Sequence, residues 1–213
     1  MTEDKEFIYE SIVSQVRAGF ISIEDIKENI IEEIEDNGFE EEISEKWAIK
    51  KIDKEWEKLL LESKQWKNPT DTQKLIKAFD ELCSMNIIAL HNAGYTTSDG
   101  IDEVGEVEKE LRKKNIVSDG YCFYHEQDLA RALDSENPSL TIAFQKMENS
   151  DDAVTIGVGK KVSEILRKNG LEVVWDETAN LKITIPNFKW QLVYDDDNRD
   201  LLNYRQVVEL MSN

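Results

Sequence analysis

The feature that most limits the fold of this chain is a change of hydrophobic period near Pro69. Before it, every apolar stripe is helical. Phe7, Ile8, Ile12 and Val16 recur at helical spacing up to Gly19. Ile23, Ile26, Ile30 and Ile34 do so between Ser22, a suitable N-cap, and the stop signal Asn37-Gly38. A third helix is expected over 39–63, with Ile49, Ile52, Trp56, Leu59 and Leu60 on one side and Lys and Glu on the other. Each helix is amphipathic and none is apolar all round, so the three must pack on each other or on the rest of the chain. Pro69 disfavours helix at Asn68, and Thr70 can cap the next helix. The expected organisation is an acidic helical segment, 1–68, and a second domain, 69–213.

After Pro69, helix and strand alternate. Helix is expected over 72–85, strand over 87–90, a small-residue loop over 92–99, and a charged helix ending near Asn115. A strand over 120–124, a short helix over 125–133, a strand over 140–144 and a helix over 154–169 come next, the last closed by Gly170. The style then changes. Leu181, Ile183 and Ile185 alternate with Lys182 and Thr184, and Phe188, Trp190 and Leu192 alternate with Lys189 and Gln191, across Pro186-Asn187. Strict alternation with a short turn predicts an antiparallel meander with one solvated face. A last helix is expected over 200–211, capped by Asp197 or Asn198. The fold class is therefore α+β (mixed α/β), with four to six strands, parallel early and antiparallel late.

Charge narrows the partners. Forty-five acids against 26 bases leave −19. Nucleic acid and anionic membranes, which bind clustered Lys and Arg, are excluded as expected partners. Ten of the acids fall in 24–42 beside one base, Lys27, whereas 43–68 carries five acids and seven bases. Such a run reads either as a solvated helix face or as a surface that draws in a basic partner, with Glu28, Glu32, Glu35, Asp36, Glu40 and Glu41 as its residues. The chain opens acidic, without the basic and apolar regions of a secretion signal, and its longest uncharged stretch, 82–98, holds His91, two Asn and Gly94. No membrane span and a cytoplasmic location are expected. Cys83 and Cys122 lie far apart in apolar segments and read as small buried hydrophobes, with no disulfide framework or metal site and no cofactor expected.

Two short motifs are weaker than they look. Gly157-Val158-Gly159-Lys160 lacks phosphate-loop spacing and lies inside a helical period. The run of acids from Asp195 lacks the turn glycine and the closing Glu of a calcium loop. The arrangement with chemical content involves the only two histidines. His91 follows the strand 87–90 and His125 the strand 120–124, so parallel strands would bring both to the carboxyl edge of the sheet, where α/β proteins bind ligands. Tyr124, Gln127 and Asp128 complete the candidate pocket. Two His and a carboxylate could hold a metal or supply a general base with its orienting partner, the alternative being half-buried hydrogen-bonding residues at strand ends.

Residues 71–190 resemble an uncharacterised bacterial family, a domain of unknown function. The run Gly120-Tyr121-Cys122-Phe123-Tyr124-His125-Glu126-Gln127-Asp128 is similar to that family's Gly-Tyr-x-Phe-x-His-x-Gln-Asp signature, and Gly170-Leu171-Glu172-Val173-Val174-Trp175-Asp176 carries the rest of the likeness. Many members hold cysteines in the loop after the first strand, where this chain has Ala89-Leu90-His91-Asn92-Ala93-Gly94. The resemblance implies no reaction, and the first 66 residues fall outside it. Three functional classes are therefore expected: a non-enzymatic acidic module for a basic protein, of the immunity or antitoxin kind; a small-molecule or metal enzyme built on His91, His125 and Asp128; or a domain that forms homo-oligomers through its N-terminal helices.

Overall fold

In a computed structural model, which describes residues 1–134 and 136–212, the first helical stripes close on one another. Helix α1 (Glu3–Ala18) ends at Gly19. Helix α2 (Ile23–Asp36) begins at a reciprocal cap, in which Ser22 Oγ accepts the Asp25 amide at 3.1 Å and the Asp25 carboxylate accepts the Ser22 amide at 3.2 Å. Helix α3 (Glu45–Ser63) starts later than the apolar period suggests. Residues 39–43 instead make a turn closed by Ile43 N–H on Phe39 O at 2.8 Å, which drops Ile43 into the core before Ser44 takes the cap. Ile8, Ile12, Val16, Ile26, Ile30, Ile34, Ile43, Ala48, Ile52 and Leu59 form one cluster.

The buried side of α3 is rotated from the expected one: it runs Ala48, Ile52, Glu55, Leu59, and Leu60 is 38% exposed. Glu55 can be buried because the Tyr9 hydroxyl donates to it at 2.7 Å, and this bond, with burial, raises the tyrosine pKa above its ordinary value. Tyr9→Phe leaves that carboxylate short of a partner. We expect a loss of about 1–2 kcal/mol in urea unfolding, and an unchanged midpoint would show that the bond contributes nothing.

The chain divides into two compact units. The first contains Met1–Lys67 and Trp190–Arg199, and the second Asn68–Lys189 and the residues from Asp200 on. In the second, Thr70 and Gln73 cap α4 (Asp71–Ser84) reciprocally, and the elements continue as β1 (Ile87–Leu90), α5 (Thr97–Lys113), β2 (Gly120–Phe123), α6 (Glu126–Leu133), β3 (Ser139–Gln145), α7 (Asp152–Lys168), β4 (Ile183–Pro186) and α8 (Tyr204–Ser212). The sheet order is β1-β2-β3-β4. β1 and β2 are parallel, with Ile87 opposite Gly120 and Leu90 opposite Phe123, and β3 is antiparallel to both its neighbours. Every residue of β1 and β2 is buried, as a crossover with helices on both faces requires. Successive side chains alternate between faces: Gly120 lies under Val158 of α7, and Phe123 lies against Gly100 of α5. A Cβ on Gly100 would come within 2.7 Å of the Ala93 carbonyl oxygen, so this helix can approach the sheet only with glycine there.

The fold class is the expected α+β, with four strands among the described residues. The second half of the expected meander is a correction. Phe188, Trp190 and Leu192 form no strand. Pro186 ends β4, Asn187 turns the chain at φ +53°, and Trp190 then donates its indole N–H to Ala18 O at 3.0 Å and packs edge-on to Phe20. The alternation there reflects burial, not pairing. α8 starts at Tyr204, later than expected, after a turn in which Asp200 accepts the Leu202 amide. No described helix is long and apolar enough to cross a membrane.

Candidate functional site

At the carboxyl end of β2 the backbone passes through Tyr124 and His125 into α6. His125 is extended (φ −111°, ψ 178°) and is itself the N-cap: its Nδ1 accepts the Asp128 amide at 3.3 Å, and Asp128 Oδ2 faces the His125 amide at 3.4 Å. Both side chains are buried. Asp128 Oδ1 accepts from Arg131 Nη1 at 2.7 Å and from the Thr141 hydroxyl on β3, and Oδ2 accepts from Lys182 Nζ, just before β4, at 2.9 Å. Thr97, the first residue of α5, places its hydroxyl 3.1 Å from His125 Nε2.

This geometry limits the chemistry. A neutral imidazole has one lone pair: with Nδ1 accepting the Asp128 N–H at 3.3 Å the proton sits on Nε2, and with Nε2 accepting from Lys182 Nζ at 2.8 Å it sits on Nδ1. Nε2 is 3.1 Å from both Asp128 Oδ2 and Thr97 Oγ1 and 2.8 Å from Lys182 Nζ. Burial lowers the His125 pKa below its ordinary value and outweighs the carboxylate of Asp128, which raises it, while Lys182 and Arg131 lower it further. Asp128 accepts from Arg131, Thr141 and Lys182, and its Oδ2 also faces the His125 amide at 3.4 Å and His125 Nε2 at 3.1 Å. The pair caps α6 and ties it to β3 and to Lys182.

His91 lies elsewhere. Its ring is 4.6 Å from that of Phe79 on α4, and its Nδ1 is 3.2 Å from the Tyr124 hydroxyl. Tyr124 and His125 are consecutive in extended backbone, so they point to opposite faces, and His91 sits on the Tyr124 side. The two imidazoles make different contacts, His91 with Phe79 and Tyr124, and His125 with Thr97, Asp128 and Lys182. Tyr204 of α8 donates to the His91 carbonyl oxygen at 2.9 Å, and burial holds the Tyr124 phenol well above its ordinary pKa. Gln127 is exposed. Among the described residues no group of three His, Cys, Asp or Glu is placed to hold a metal. Sequence reasoning misses Arg131, Thr141 and Lys182. The signals that could find them are the position of Arg131 one turn from Asp128 and the polar positions of Lys182 and Thr141 in their strands.

The acidic run has a different geometry. Glu28, Glu32, Glu35 and Asp36 follow helical spacing on the side of α2 opposite Ile26, Ile30 and Ile34, and Glu40 and Glu41 extend the run beyond its end. All six are exposed, and none forms an ion pair among the described residues. Lys27, the one base of the run, is turned to Asp53 of α3 at 3.0 Å. Beside them opens a cleft of about 440 Å³ with Ile31, Ile34 and Ile43 as apolar lining and Glu35, Glu40 and Glu45 among its polar residues.

No curated protein and no solved structure matches the chain. One family model does, over residues 1–193, and so includes the helical first 66 residues that the resemblance in sequence leaves out. Its match covers most of both units, and the chain belongs to that family, a domain of unknown function designated DUF6891.

Proposed function

We propose that this protein is a non-enzymatic binding module that receives a basic protein, of the immunity or antitoxin kind, on the acidic end of α2. The observation that carries the reading is where the acids stand. The last turn of α2 holds Glu33, Glu35 and Asp36 and no base, against the sign that the helix dipole favours there. Glu28 and Glu32, and Glu32 and Asp36, are like-charged at i,i+4 spacing, which is also unfavourable. Charges that oppose local stability without internal compensation are characteristic of functional surfaces. The cleft adds shape: a lysine or arginine can lay its aliphatic stem on Ile31 and bring its cation among Glu35, Glu40 and Glu45, beside which Lys46 is the one base in the lining.

The test is an NMR titration of the whole protein with a 12-residue peptide of alternating leucine and lysine. Amide shifts confined to residues 28–46 are expected, and they should vanish when Glu35, Glu40 and Glu45 become glutamine. Shifts spread over both units, or retained in that variant, would refute the reading.

A further inference from the structure

The His125 cluster holds together only while the imidazole is neutral. Three cationic or potentially cationic groups converge on one buried carboxylate: Lys182 Nζ is 2.9 Å from Asp128 Oδ2, Arg131 Nη1 is 2.7 Å from Oδ1, and His125 Nε2 is 3.1 Å from Oδ2. Lys182 Nζ is also 2.8 Å from His125 Nε2. The neutral ring has one lone pair for two donors, the Asp128 N–H at Nδ1 and this ammonium at Nε2. With a second proton on the ring, the Nδ1 proton would point at the Asp128 N–H only 3.3 Å away, abolish the cap, and place a full positive charge against the ammonium. The other charged group that bears on the ring is Asp99, in the first turn of α5, and Thr97 and Thr141 contribute hydroxyls. One acid inside the cluster and one outside it cannot neutralise three cations.

Lys182 is the least buried of the groups on Oδ2, 30% exposed, and comes after a stretch held mostly by bonds among its own side chains and carbonyls. Asp176 bonds Thr178, the Trp175 indole bonds the carbonyls of Thr178 and Leu181, and Glu177 pairs with Lys160 at the surface. Leu181 is 58% exposed.

We propose that His125 is a proton-sensitive latch: neutral, it caps α6 and lets Lys182 hold the stretch before β4 against Asp128, and protonated, it releases both. The sign comes from linkage. A histidine held below its ordinary pKa of about 6.5 binds fewer protons folded than unfolded, so its contribution is complete above that value and is lost as pH falls through it. Low salt is not required, because the groups are in direct contact.

The experiment is a pH titration of the intact protein from about 7.5 to 5, monitored by NMR at the His125 ring and at the amides of residues 178–182 and 128. The ring is expected to titrate below about 6.5, with the 178–182 amides shifting and losing hydrogen-exchange protection at the same midpoint. Lys182→Met should raise that midpoint, since it removes the neighbouring charge. His125→Asn supplies a neutral cap and should make the 178–182 amides insensitive to pH over this range. Amides that stay unchanged while the ring titrates, or a ring midpoint at or above about 6.5, would overturn the latch. The wild-type titration decides the matter even where a variant does not fold.

Discussion

Asp128→Ala is expected to destabilise the second unit by about 3 kcal/mol, measured by urea unfolding. Removing one partner of a buried charge pair costs ~3–5 kcal/mol when the other charge stays buried. Here Arg131 is 55% exposed and Lys182 30%, so both cations regain water and the electrostatic part is smaller. The remainder comes from groups that cannot move: the Thr141 hydroxyl loses its acceptor, and α6 loses half of its reciprocal N-terminal cap. Each such loss is worth about 1–2 kcal/mol. Hydrogen exchange should locate the damage at the start of α6. A variant within about 0.5 kcal/mol of wild type would mean that the carboxylate is not the hub of the cluster.

Ile30→Ala should have a comparable or larger effect, about 3–4 kcal/mol, within the ~2–5 kcal/mol range for buried isoleucine truncations. Ile30 is fully buried midway along α2, one turn from both Ile26 and Ile34. Besides this stripe the helix has its Ser22–Asp25 cap and the Lys27–Asp53 pair. Its outward face is a row of mutually repelling carboxylates, and its last turn opposes the dipole, so the isoleucine stripe must offset both. The same truncation should therefore weaken peptide binding through loss of the platform, and added salt, which screens the repulsion, should partly restore stability. Thermal unfolding in low and high salt measures both effects. Equal losses at the two salt concentrations would show that the acids do not strain the helix.

Much of this fold is legible in residue order because local and tertiary preferences agree. The stripes Ile8-Ile12-Val16 and Ile26-Ile30-Ile34 are the buried ones, Ser22 and Thr70 are caps, and the all-apolar run 87–90 is a strand covered on both faces. Where structure and period disagree, tertiary contacts have won. Glu55 occupies a core position because Tyr9 satisfies it, and Phe188, Trp190 and Leu192 alternate without pairing because Pro186 and Asn187 turn the chain out of the sheet. The acids of α2 are legible as a charged run; that none is paired among the described residues is not, since Lys27 could have turned to them rather than to Asp53. His125 and Asp128 are legible as neighbours. Their partners are not, because Thr141 and Lys182 come from β3 and from just before β4. The separation of His91 from His125 comes from strand parity, which places Tyr124 and His125 on different faces.

Exposed, unpaired carboxylates on and after α2 are proposed to draw in a cationic partner, and on this the functional account rests. Stopped-flow association of the labelled leucine-lysine peptide, with wild type and with a variant carrying glutamine at Glu28, Glu32, Glu35, Glu40 and Glu41 and asparagine at Asp36, tests it most directly. For wild type the rate constant should fall about tenfold or more between roughly 0.02 and 0.2 M salt, and for the variant it should start lower and change little. Equal rates with equal salt dependence in the two proteins would contradict the claim.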